Sequence, residues 1–307
     1  MRAFAIFVGL IALGLAGIAF LGYPAWLLIS PWLDNPKFHR ISSRVGMALL
    51  AIAFIFVARH LKINDRQSMG FGLPWKKFTA EVGKSVFFGA LLMMPAVLTM
   101  IGFDLLKPAA KPHSDWLHLV LGGILTGLTV SFIEETFLRG AMLTAIKRES
   151  GARAAIVLTA LVYAATHFFG RYRIAAANVN AGTGIEMMTH TLALFGQPHR
   201  IIDTFLCLFA VGVLLGIVRV RTGNVAAPIG LHAGWVAVIY VVREMTDRRP
   251  DAPGAWMLGE VDGFIGWLLL AWTLVLGAAL LWWYRPSAIA RNGASGQLTP
   301  SPQSGDS

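Results

Sequence analysis

Apolar runs dominate the chain, and polar residues gather between them. The runs at about 3–28, 43–58, 83–105, 118–146, 152–169, 202–219, 225–242 and 262–283 approach or exceed the roughly 20 helical residues that cross a hydrocarbon layer about 30 Å thick. The pattern predicts an all-α, polytopic membrane helix bundle of about eight transmembrane helices. The run at 43–58 is the shortest, 118–146 is long enough to tilt or to project beyond the bilayer, and counts of seven or nine stay open. The first run exceeds the roughly 7–15 apolar residues of a secretory signal and no clear cleavage site follows it, so it is read as a retained first helix. Between the fifth and sixth runs, 170–201 is the one long irregular stretch inside the bundle. It reads as an exposed, weakly ordered excursion, with a cap or gate carrying His190 and His199 as the alternative. The tail, 285–307, is rich in Ser, Gly and Pro and is expected to be disordered.

Composition agrees with a membrane protein: 56% of the 307 residues are hydrophobic and only 14% charged, which excludes an ordinary soluble domain. The net charge of +10 does not point to nucleic acid, because the basic residues are dispersed over the loops, as orientation signals are. Under an eight-helix count, Arg2, the loop 59–84, Lys147, Arg148, Arg153, Arg219, Arg221 and the tail share one face. That places both termini in the cytoplasm, for a bacterial source at the inner membrane. The single cysteine, Cys207, permits no intramolecular disulfide and no cysteine-based zinc site.

Against this background "SFIEETFLRG" (131–140) is costly, since each charge at a helix centre costs about 2.5–3.5 kcal/mol on insertion scales. Glu135 and Arg139, four apart with the glutamate first, suit a salt bridge on one helix face. Glu134, rotated by about 100° from Glu135, is left over. The plainer reading is a buried polar cluster that locks helices together. Two further residues weaken it: His167 closes the fifth run and His232 lies within the seventh. Counted from the loop Lys147–Gly151 and from Arg221 at 1.5 Å per residue, Glu134, His167 and His232 lie about 20, 22 and 16 Å deep, so the three groups can meet in one layer.

Glu134-Glu135-x-x-x-Arg139, then Tyr163-x-x-x-His167, then His232 on a helix entered through "GNVAAPIG", resembles the CPBP family of intramembrane endopeptidases (CAAX proteases and bacteriocin-processing enzymes, also called Abi), over about 118–242. The resemblance implies proteolysis of glutamate type. Glu134 is then the general base on a water, His167 holds that water, His232 supplies a hydrogen bond to the oxyanion, and Glu135, Arg139 and Tyr163 support them. The substrate class implied is a membrane-embedded or lipidated protein or peptide. No cofactor is expected. A zinc ion on Glu134, His167 and His232 is the less favoured alternative, because no His-Glu-x-x-His occurs in the chain. The family usually continues His-x-x-x-Asn or Asp, but here the fourth residue is Val236, whose side chain donates nothing. That opens a second reading: a catalytically weakened member that binds or scaffolds a membrane partner. Asn224 and Trp235 are candidates to replace the lost donor. The Gly293–Gly296 match to the rhomboid serine pattern lies in the polar tail and is set aside. The domain division is therefore 1–117, N-terminal helices and loops; 118–242, protease-like core; 243–284, C-terminal helix; and 285–307, tail.

Overall fold

The structure, a computed structural model, describes residues 1–109, 115–169 and 172–283. The tail at 285–307, with the rhomboid-like tetrad, lies outside the described residues. The fold is all-α: α1 (Arg2–Ile29), α2 (Phe38–His60), α3 (Trp75–Gly102), α4 (Trp116–Glu135), α5 (Leu143–Thr166), α6 (Thr183–Phe195), α7 (Pro198–Thr222), α8 (Ala226–Met245) and α9 (Trp267–Trp283). The described strands are two three-residue segments, β1 (Leu106–Pro108) and β2 (Thr246–Arg248), paired antiparallel.

By length and composition six helices can cross a membrane, and one of the six is the continuous stretch Trp116–Thr166. That stretch turns back on itself at Gly151, which takes φ 80°, a left-handed conformation that glycine adopts without strain. Arg139, twelve residues before the turn, accordingly lies 4.7 Å over the ring of Tyr163, twelve residues after it. With this stretch traced as two arms, and with the 17-residue α9 included, the described chain runs from one end of the bundle to the other eight times, as the hydrophobic pattern predicts. The α-amino group of Met1 pairs with Glu149, Arg2 meets His60, and Arg148 binds the carbonyl of Lys62. Arg153, Arg221 and Leu281 border one cavity. The basic residues assigned to one face therefore do gather at one end, and the β1–β2 ribbon lies at the other.

Surface and interior are inverted relative to a soluble protein. Phe20, Leu28, Leu117 and Leu125 are exposed, whereas Glu135 and Arg139 are wholly buried. Small residues bring the site-bearing helices together. A Cβ on Gly127 of α4 would lie 2.4 Å from the Ala233 carbonyl oxygen of α8, and one on Gly234 of α8 would lie 2.4 Å from that of Val86 on α3. With hydrocarbon outside, helices associate through such close packing rather than through water exclusion. α7 ends on Gly223 at φ 72°, and Asn224 then accepts a hydrogen bond from the Ala226 N–H to start α8.

One expectation is corrected. The segment 170–201 is not a weakly ordered excursion, because it contains the 13-residue helix α6, which is docked on α1. Met187 is wholly buried, and Gly184 sits so close to α1 that a Cβ would fall 2.3 Å from the Ala19 carbonyl oxygen.

Candidate active site

The site begins where α4 changes pitch. Directly after Glu134 and Glu135 the backbone widens into a π-helical segment, Thr136–Met142, a feature that often marks functional positions. The wide turn hands the Leu143 N–H to the Leu138 carbonyl, and the Arg139 carbonyl, its α-helical partner, instead accepts from Arg219 Nε of α7 at 3.1 Å. An interruption of the helix inside the bundle is thus satisfied by a buried side chain, as the absence of water requires.

Glu135 is the hub. Its Oε1 accepts from Arg139 Nη1 at 2.9 Å and from His232 Nδ1 at 2.9 Å. Arg139 also reaches the Gly212 carbonyl at 3.3 Å, so three helices meet on one ion pair. Because a carboxylate only accepts, His232 carries a proton on Nδ1, and Nε2 is the nitrogen it turns toward Glu134. Glu134 Oε2 lies 4.0 Å from that Nε2 and has no hydrogen-bond partner, and the side chain retains 31% exposure. The expected salt bridge and the expected leftover carboxylate both occur.

His167 is set by its own helix end, with Nδ1 donating to the Tyr163 carbonyl at 2.7 Å. The Tyr163 ring packs edge-on against both imidazoles, with centroid separations of 4.4 Å to His167 and 5.9 Å to His232, and its hydroxyl stands 3.5 Å from His232 Nε2. Two cavities meet here. One, walled by α1, α2, α4 and α5, contains Glu134 and His167; the other contains His167, Tyr163, His232, Trp235 and Val236. His167 borders both. Val236 therefore stands in the wall of the cavity its family counterpart would serve. Asn224 is remote from it, since its amide is used at the α7–α8 turn.

Each histidine has Nδ1 on an oxygen, and His232 turns Nε2 toward Glu134, an arrangement that would also suit a metal ligand. The grouping does not fit, however: among the described residues no three His, Cys, Asp or Glu side chains are clustered to hold a metal ion. Sequence reasoning missed two contacts, Glu135 with His232 and Arg219 with the Arg139 carbonyl. The first joins residues 97 positions apart, the second 80, and neither has a local signal.

Fold and site together define an integral, multi-pass membrane protein that buries an ion pair inside the bundle. Residues 116–238 match the family model described as type II CAAX prenyl endopeptidase, Rce1-like, from the first residue of α4 into α8. This match agrees with the CPBP/CAAX protease resemblance of the motifs, and the matched segment contains Glu134, Glu135, Arg139, Tyr163, His167 and His232. No curated protein and no solved structure matched the chain.

Proposed function

We propose that the protein is an intramembrane endopeptidase that hydrolyses a peptide bond in a membrane-embedded or lipidated protein or peptide, without a metal ion. The observation that carries this reading is a partly exposed carboxylate with an unpartnered oxygen, Glu134, 4.0 Å from a histidine whose other nitrogen is fixed by the buried Glu135–Arg139 pair.

In this mechanism Glu134 takes a proton from a water held between it and His167, and the resulting hydroxide adds to the scissile carbonyl carbon. Negative charge moves to the carbonyl oxygen, where a doubly protonated His232 donates from Nε2, its charge balanced by Glu134 and Glu135. Tyr163 O–H, beside that Nε2, supplies the second donor that Val236 lacks. Glu134 then passes its proton to the leaving amine as the C–N bond breaks. The two cavities divide the reactants: water reaches Glu134 from the α1–α2 side, and the peptide lies against Tyr163, His232 and Val236. The basic end of the bundle faces the cytoplasm.

The test compares new peptide termini, by mass spectrometry, in membranes carrying the wild-type chain or Glu134→Gln at equal abundance. Termini specific to the wild type are expected. Identical termini from two folded proteins would overturn the reading in favour of a binding role, which Val236 alone supports.

A further inference from the structure

The basic end of the bundle holds a second polar site that proteolysis does not use. Arg219, in the last turn of α7, is buried, with 8% of its surface exposed. Its guanidinium contacts only neutral oxygens, the Arg139 carbonyl at 3.1 Å and Thr144 Oγ1 at 3.5 Å, and among the described residues it has no carboxylate partner. Buried charges are normally paired or bound to a ligand. Arg219 opens onto a cavity that it shares with Lys147, Arg148, Ser68, Thr144 and Gln67.

The acids nearby are already engaged. Glu149 binds the N-terminal ammonium at 3.0 Å and the Ala3 N–H. Asp65 is held below the usual carboxylate range by hydrogen bonds from Ser68, helped by the charge of Arg148, and so serves as a counter-charge to that arginine. Arg148 is itself oriented toward the cavity wall by the Lys62 carbonyl at 2.8 Å and Ser68 Oγ at 2.6 Å. What remains is an excess of cation, Arg219 within and Lys147 at the rim, with the Gln67 side chain in the wall.

We propose that this cavity binds a phosphate group, either the headgroup of an anionic phospholipid or free phosphate. A buried guanidinium fork beside an ammonium group matches a tetrahedral oxyanion. The Gly151 turn also sits at the basic end of a membrane bundle, where pockets between helices meet lipid headgroups. Because Arg219 also covers the carbonyl exposed by the π segment, occupancy bears on the helix that carries Glu134. The proposal does not depend on the proteolytic reading.

The test uses the full-length protein. Retention of phosphatidylglycerol against phosphatidylcholine is read by native mass spectrometry, and binding of inorganic phosphate by calorimetry. Because Arg219→Gln also removes support from the Arg139 carbonyl, the deciding variant is Lys147→Glu, at an exposed position. The wild type should retain phosphatidylglycerol selectively, and Lys147→Glu should weaken retention about tenfold or more, the scale of one charge-assisted hydrogen bond. Binding of inorganic phosphate without lipid selectivity, weakened to the same degree by Lys147→Glu, would support the site and assign it to soluble phosphate. Binding of neither ligand, or equal binding by wild type and Lys147→Glu, would overturn the proposal.

Discussion

Two adjacent glutamates separate into different roles at the scale of single residues. Glu135 is wholly buried and bonded to two donors, so Glu135→Gln leaves the Arg139 charge uncompensated and should destabilise the fold by about 3–5 kcal/mol, read from unfolding in detergent. Glu134 is partly exposed and has a free oxygen. Glu134→Gln should therefore unfold like the wild type while peptide hydrolysis falls about 10²- to 10⁴-fold, the usual contribution of a general base. Tyr163→Phe keeps the ring packing and should lower kcat about 10²- to 10³-fold, and Val236→Asn added to it should recover part of the loss. If Tyr163→Phe cleaves at the wild-type rate, the hydroxyl is not the missing donor. The Glu135–Arg139 pair and the surplus Glu134 were legible in the sequence because helical spacing is local. The bond from Glu135 to His232 was not, since it depends on how α4 packs against α8, a contact between segments nearly a hundred residues apart.

At the scale of elements, position is decided by helix contact rather than by caps. Gly127 and Gly234 let α4 and α3 touch the backbone of α8, and this contact brings His232 within reach of both glutamates. Gly127→Val should separate α4 from α8 and cost about 1–3 kcal/mol, with hydrolysis lost more steeply than stability, as seen by comparing rate and thermal midpoint in the same preparation. The long spans were legible because lipid imposes about 20 apolar residues on each. α6 was not. It is 13 residues long, its sequence TGIEMMTHTLALF mixes polar and apolar positions, and its order comes from the contact of Gly184 with Ala19 of α1 and of Met187 with Ser42 of α2, partners more than 140 residues away.

For the whole molecule, the single pass of α3 places the loop at 61–74 and the β1–β2 ribbon on opposite sides. Single cysteines at Arg66 and Lys107, both exposed, should therefore react with a membrane-impermeant maleimide from opposite faces of sealed vesicles, Arg66→Cys from the cytoplasmic side. Native Cys207 is buried and should stay silent. Labelling of both from one side would refute the eight-pass topology. The distribution of basic residues made this arrangement legible, and the polar loop Lys147–Gly151 marked the break between the two arms of Trp116–Thr166, where the turn is made by a single glycine conformation.

The widened turn after Glu135 makes the count of residues in Thr136–Met142 as consequential as their identity. Removal of one residue from that interval would let an ordinary α-helix form and would rotate everything before it by about 100° relative to the hairpin. Both carboxylates would swing away from His232 while the hydropathy profile stayed almost unchanged. A one-codon deletion there is thus the smallest lesion expected to disarm the site without touching a named side chain, and homologous chains aligned with a gap at this interval should be suspected of having lost the chemistry even where every glutamate and histidine is retained.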